Sequence, residues 1–247
     1  MRPGAEDRCS MITLARFHAR ILEKARDNGT APVLIVALGD SVTQGFMEER
    51  RFDFEAVYHH RLKQLLEARY PQTTFSVVNA GCGGESLPGG ARRLDRDVIR
   101  HQPDLVLVAY GLNDACGGGR AGVAAFQDGL ADLVRRIRGA TEAAVVLLTP
   151  NRMMTHDNDR VAPRWKTKVE PFIQTQREGV LDAYAQAVRR VAADQRVALA
   201  DVYDAWCRLE AGGVDTTLCL SNGINHPTAD MHAQTARLIM QTIESPG

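Results

Sequence analysis

Five short runs of continuous apolar residues recur along the chain, with segments of helical period between them. They lie at 33–38 (VLIVAL), 75–79 (FSVVN), 105–109 (LVLVA), 144–149 (AVVLLT) and 197–201 (VALAD). None of them alternates apolar with polar residues. A strand of that kind is covered on both faces, which is the condition of a parallel sheet and not of a half-solvated antiparallel one. The intervening segments carry apolar stripes. Tyr58, Leu62, Leu65 and Leu66 recur at i, i+4, i+7 and i+8, and Phe126, Leu130, Leu133 and Val134 do the same. A third stripe runs through Leu181, Tyr184, Val188 and Val191. Each gives a helix one face to lay on the sheet. Strand-then-helix order repeated about five times implies right-handed crossovers. The fold expected is a three-layer α/β/α sandwich around a five-stranded parallel sheet.

A chain of 247 residues buries enough surface to need no disulfide or metal staple. We expect one domain over 1–247, with a helical N-terminal extension over 1–30 (the helix itself at 11–28) and a closing helix over 227–243. The stretch 151–172 is long, polar, basic and without period. Such loops tend to be lids or substrate loops, which makes Arg152, His156, Arg164 and Trp165 candidate substrate contacts.

Charge and cysteine usage exclude other classes. Thirty basic and thirty acidic residues cancel, so the broad positive field of a nucleic-acid binder is missing. The longest apolar run is far short of the ~20 residues of a membrane helix. The N-terminus lacks the apolar core of a secretory signal, so a cytoplasmic or already processed chain is expected, cytoplasmic foremost. Cys9, Cys82, Cys116, Cys207 and Cys219 are widely spaced and form no CxxC pair. Free thiols are expected, with no metal site and no cofactor. Cys82 and Cys116 read as small buried thiols, and Gly117-Gly118-Gly119 as a mobile turn with no phosphate-binding lysine after it.

The chemistry gathers at strand ends. Open α/β sheets bind ligands at the carboxyl edges of their strands. The first strand runs into Gly39-Asp40-Ser41-Val42-Thr43-Gln44-Gly45, and the second into Asn79-Ala80-Gly81-Cys82-Gly83-Gly84-Glu85-Ser86. The third ends in Tyr110-Gly111-Leu112-Asn113-Asp114, and Asn222-Gly223-Ile224-Asn225-His226-Pro227 precedes the last helix. Nucleophile, base and oxyanion donors for acyl transfer are all present. The α/β-hydrolase elbow G-x-S-x-G is not, because Thr43 stands where its second glycine belongs.

With these four blocks in this order, the chain resembles the SGNH hydrolases of the GDSL family. The resemblance implies a flavodoxin-like fold and metal-independent hydrolysis of esters or thioesters. Carried over by position, Ser41 is the nucleophile and His226 the general base. The oxyanion hole is then the Ser41 N–H, the Gly84 N–H and the Asn113 amide. Asp40 and Asp114 are supporting neighbours, Asp114 being the residue expected to fix the Asn113 amide.

One position departs from the family. The aspartate usually found three residues before the histidine is Gly223 here, and no carboxylate lies between Asp215 and His226. Three readings stand: a Ser–His dyad oriented by a backbone carbonyl near Asn222 or Gly223, Asp215 folding back as a replacement acid, or a dead site. The carbonyl dyad is favoured. Asp230, in the first turn of the last helix, is a weaker acid candidate. An aspartate installed at 223 restores the family arrangement only if the glycine is not there for a positive φ.

The function expected is a serine esterase of short acyl groups, foremost acetyl groups on a carbohydrate. A lysophospholipase or acyl-thioesterase is the alternative among enzymes. A catalytically inactive carbohydrate-binding domain is the alternative of another class, favoured by the missing aspartate and disfavoured by the joint presence of Ser41, Gly84, Asn113 and His226.

Overall fold

β3 (Leu105–Ala109) is the central strand of a five-stranded, all-parallel sheet of order β2-β1-β3-β4-β5. The other strands are β1 (Val33–Gly39), β2 (Phe75–Gly81), β4 (Ala144–Leu148) and β5 (Ala198–Ala200). This computed structural model describes residues 12–48 and 51–245. The expectations for Cys9 and for the first eleven residues lie outside that range.

Side chains of one strand go alternately to two separate cores. On one face Val33, Ile35 and Ala37 of β1 meet α1 (Ile12–Arg26) through Phe17 and Ile21. They also meet α3 (Tyr58–Arg69) through Tyr58, Leu62 and Leu66, and α10 (Ala229–Glu244) covers the same face through Ile239 and Ile243. On the other face Val36 and Leu38 join α4 (Leu87–Asp97), α6 (Val123–Ala140) and α8 (Val180–Gln195). The continuous apolar runs follow directly from this double burial. The remaining helices are α2 (Ser41–Gln44), α5 (Leu112–Gly118), α7 (Glu170–Arg177) and α9 (Val202–Ala211). Among the described residues no helix is long and apolar enough to cross a membrane.

The insertion 151–172 differs from a solvated loop. Met153, Met154, Val161 and Val169 are buried, and Pro163–Lys168 forms a 3₁₀ turn before α7 begins at Glu170. Its apolar residues are too sparse to show a period, yet they anchor it to both cores.

Candidate active site

β1 ends at Gly39 and the chain turns at once into the four-residue helix α2. Asp40 caps that helix, its Oδ1 accepting from the Val42 N–H at 2.9 Å. Ser41 is the first residue of α2, so its backbone N–H is one of the donors a helix start leaves unpaired. The turn sits hard against the end of β2. A Cβ on Gly81 would lie 2.1 Å from the Gln44 nitrogen. Glycine at 81 is what lets the serine turn approach the second strand.

Ser41 and His226, 185 positions apart, meet here. Ser41 Oγ lies 2.9 Å from His226 Nε2. His226 Nδ1 lies 3.0 Å from the backbone carbonyl oxygen of Met47. A carbonyl only accepts, so Nδ1 carries the proton and Nε2 is left as the acceptor for the serine hydroxyl. The ring is 7% exposed. Burial pushes its pKa from the ordinary 6.5 down to about 4, with the Met47 bond acting in the other direction. A base works while neutral, so kcat/KM is expected to hold on the acid side until the pH nears 4. Measured in wild type and in Asp40→Asn, an acid limb fixed at 6–7 in both would contradict this environment for His226.

The orienting carbonyl was expected near Asn222 or Gly223, and it is that of Met47 instead. Asn222 has a different task. Its Oδ1 accepts from the backbone N–H groups of Ile224, Asn225 and His226 at 2.9–3.0 Å, which holds the loop before the histidine. Gly223 has φ +69°, and a Cβ there would fall 2.4 Å from Asn158 Oδ1. An aspartate at 223 therefore does not restore the family arrangement. Gly223→Asp is expected to destabilise the fold by roughly 1–3 kcal/mol, and to lower activity, as read by denaturant melts and turnover; unchanged stability would contradict the left-handed backbone at 223. Asp215 does not fold back. Its Oδ1 caps the 3₁₀ turn Thr216–Cys219 through Thr217 N–H at 3.0 Å, and Oδ2 faces His156 Nε2 at 3.3 Å. Asp230 is exposed in the first turn of α10.

Gly84, with φ +73°, and Asn113 line the same cavity as Ser41 and His226. The Asn113 amide nitrogen donates to the Glu85 carbonyl at 3.0 Å and reaches Asp40 Oδ2 at 3.2 Å. Asp40 thus serves both the serine turn and the amide. Burial, with the negative Asp114 and Glu85 nearby, pushes its carboxyl up to about 7, against the pull of the Val42 bond. Asp114 does not hold the Asn113 amide. Its Oδ1 caps α4, accepting from Leu87 N–H at 2.9 Å, and its pKa is raised by burial.

Beneath these loops lies a tie that the sequence pattern did not single out. Arg93 donates to the Glu85 carboxylate at 2.6–3.1 Å and to the Gly39 carbonyl at 3.1 Å, while the Tyr110 hydroxyl donates to Glu85 at 2.9 Å. One part-buried arginine thereby links the ends of the first three strands.

A cavity of about 440 Å³ opens over Ser41 and His226. The insertion contributes to it unevenly. Its first part braces the histidine loop: Asn151 Nδ2 donates to Asn225 O, Met154 N–H to Ile224 O and Asn158 Nδ2 to Gly223 O, at 2.8–2.9 Å. Arg160, Arg164, Trp165 and Phe172 wall the cavity. Arg152 is turned away from it, paired with Glu210 at 2.8 Å and lying over the Tyr203 ring, so its expected substrate contact is corrected. Cys82 and Cys116 are both exposed residues and not the buried thiols expected, although the Cys116 Sγ itself, 3.8 Å from Met153 Sδ, is desolvated enough for its thiol to be pushed up to about 11.

Two further features escaped sequence reasoning. The Met47 carbonyl carries no residue identity. The aromatics Phe46 and Phe52, which also line the cavity, stand in a charged stretch with no regular spacing; their only signal was three phenylalanines at 46, 52 and 54.

Comparison with known proteins agrees with this architecture. Residues 37–234 match the GDSL-like Lipase/Acylhydrolase family. A 50-residue stretch is 40% identical to an acetylxylan esterase of Geobacillus stearothermophilus, covering 20% of this chain and 23% of that protein. The crystal structure of Axe2, an acetylxylan esterase from the same organism, superposes with a TM-score of 0.67 at 20% identity, covering 86% of this chain and 94% of that one. A lipase/acylhydrolase from Enterococcus faecalis gives 0.63 at 21%, covering 85% and 95%. At these identities the likeness speaks for the fold. With its family match running from the first strand into the last helix, the chain belongs to the GDSL-like lipase/acylhydrolase family, a family of serine ester hydrolases.

Proposed function

We propose that this member hydrolyses short-chain acyl esters, foremost acetyl esters of carbohydrates or similar polar alcohols, by a metal-independent Ser41–His226 dyad. The observation that carries the reading is the 2.9 Å contact of Ser41 Oγ with His226 Nε2, backed by the Met47 carbonyl on Nδ1. In the first half-reaction the Ser41 hydroxyl proton passes to Nε2 as Oγ bonds to the ester carbonyl carbon. The negative oxygen of the tetrahedral intermediate is met by the N–H groups of Ser41 and Gly84 and by the Asn113 amide, which gives up its longer bond to Asp40 Oδ2 to donate there. Collapse breaks the bond to the alcohol oxygen, which leaves with the proton from Nε2. A water then attacks the acyl-serine by the same proton path, freeing the acid.

Rates across p-nitrophenyl esters from acetate to palmitate test the acyl length. A peak at acetate supports the reading, and a peak at eight or more carbons overturns it in favour of a lysophospholipase or acyl-thioesterase. That second reading draws on the apolar wall of Phe46, Phe52, Trp165, Phe172 and Ile224. The non-catalytic binding domain is disfavoured, since a binding site has no use for a buried neutral base bonded to a serine.

Asn113→Ala is expected to lower kcat roughly 10²–10³-fold with little change in KM. A variant that loses its melting transition at wild-type temperatures instead would make Asn113 a residue of structure, tying Glu85 to Asp40.

A further inference from the structure

The aromatic rings beside the base form a continuous line out of the cavity. The Phe46 ring stands edge-on to His226, centroids 5.1 Å apart at 79°. Phe52 packs on Phe46 at 5.0 Å and 75°, and Phe54 stacks behind Phe52 at 5.8 Å and 11°. Phe52 is 43% exposed and Phe54 61%. Exposed rings in contact with one another and with a reacting group mark a binding surface more than a packing remnant. A short hairpin holds them, with Phe46 bridged to Phe52 and Met47 N–H bonded to Arg51 O at 2.9 Å.

Resting on the serine-esterase reading, we infer that Phe46 and Phe52 are the platform for the alcohol half of the substrate, and that this alcohol is a ring. The direction comes from the proton. Nε2 of His226 returns its proton to the leaving oxygen, so the alcohol lies on the His226 side of Ser41. The acyl oxygen turns to Gly84 and Asn113, on other loops. The wall next to His226 is Phe46, and Phe52 continues it outward. The same cavity is also lined by Arg160, Asn225 and Trp165. An aromatic face and hydrogen-bonding side chains in one cavity fit a pyranose, whose axial C–H groups lie on the aromatic ring and whose hydroxyls point outward.

The test holds the acyl group constant and varies the alcohol. Wild type, Phe52→Ala, Phe52→Leu and Phe52→Trp are assayed on ethyl acetate, cyclohexyl acetate and acetylated methyl β-xylopyranoside. In Phe52→Ala the selectivity for each ring ester over ethyl acetate is expected to fall roughly three- to tenfold, mainly through KM. Phe52→Trp is expected to keep it, and Phe52→Leu, with area but no aromatic face, to lose it. Unchanged ring selectivity in Phe52→Ala overturns the platform. So does a loss that appears only along p-nitrophenyl acetate to octanoate, since the ring would then hold the acyl half. Cyclohexyl acetate sensitive to Phe52 with the xyloside left uncleaved by wild type supports the platform and ends the carbohydrate reading. Inactivity of wild type toward every ester overturns both.

Discussion

His226→Ala is expected to lower kcat on p-nitrophenyl acetate by about 10⁴-fold or more, whereas Asp215→Asn stays within about tenfold. The contrast follows from what each residue touches. His226 is bonded to Ser41 Oγ through Nε2 and to the Met47 carbonyl through Nδ1, so its loss removes both the proton acceptor and the later donor. Asp215 caps a 3₁₀ turn and faces His156 at the surface, where its side chain is 41% exposed. In a true triad, losing the acid leaves the wrong histidine tautomer and costs ~10⁴ in turnover. Here the tautomer is set by a peptide group that Asp215→Asn does not disturb. A folded Asp215→Asn enzyme slowed by several thousandfold would show that a carboxylate acts after all.

Ser41→Ala is expected to remove nearly all turnover, on the order of 10⁶-fold, as well as labelling by a fluorophosphonate probe. Among the described residues, Ser41 Oγ is the hydroxyl bonded to Nε2. Stability is expected to change little, because Ser41 is only half-buried and alanine keeps its Cβ and its backbone place in α2. Mass spectrometry of the labelled protein checks the site. A probe found on another residue, or a Ser41→Ala protein that still turns over at wild-type rate, would remove the serine from the chemistry.

The sheet was legible because its strands are buried on both faces, and double burial writes itself into sequence as unbroken apolar runs such as 33–38. The blocks around Ser41, Gly84, Asn113 and His226 were legible because side chains and tight approaches, like that of Gly81 to Gln44, restrict residue type. That His226 has a carbonyl partner was also legible, from the lack of any acid near 223. Which carbonyl it is was not, since any residue at 47 offers the same oxygen. Arg152 misled because a basic residue in an irregular segment looks the same whether it faces a substrate or pairs with Glu210. Asp114 misled for a similar reason: its nearness to Asn113 in sequence hid its reach across to Leu87.

The partner of His226 being a peptide oxygen in the hairpin bridged at Phe46 and Phe52 has a consequence for how the enzyme loses activity. A triad acid stays with its histidine as long as the side chain is in place. The Met47 oxygen stays only while the hairpin is paired, through the Met47–Arg51 and Asp53–Gly45 backbone bonds. Local opening of such a surface segment needs far less free energy than global unfolding. In the proposed dyad, each opening releases the imidazole to turn or to change tautomer while the sheet stands intact, so the competent fraction follows a few backbone hydrogen bonds beside the cavity.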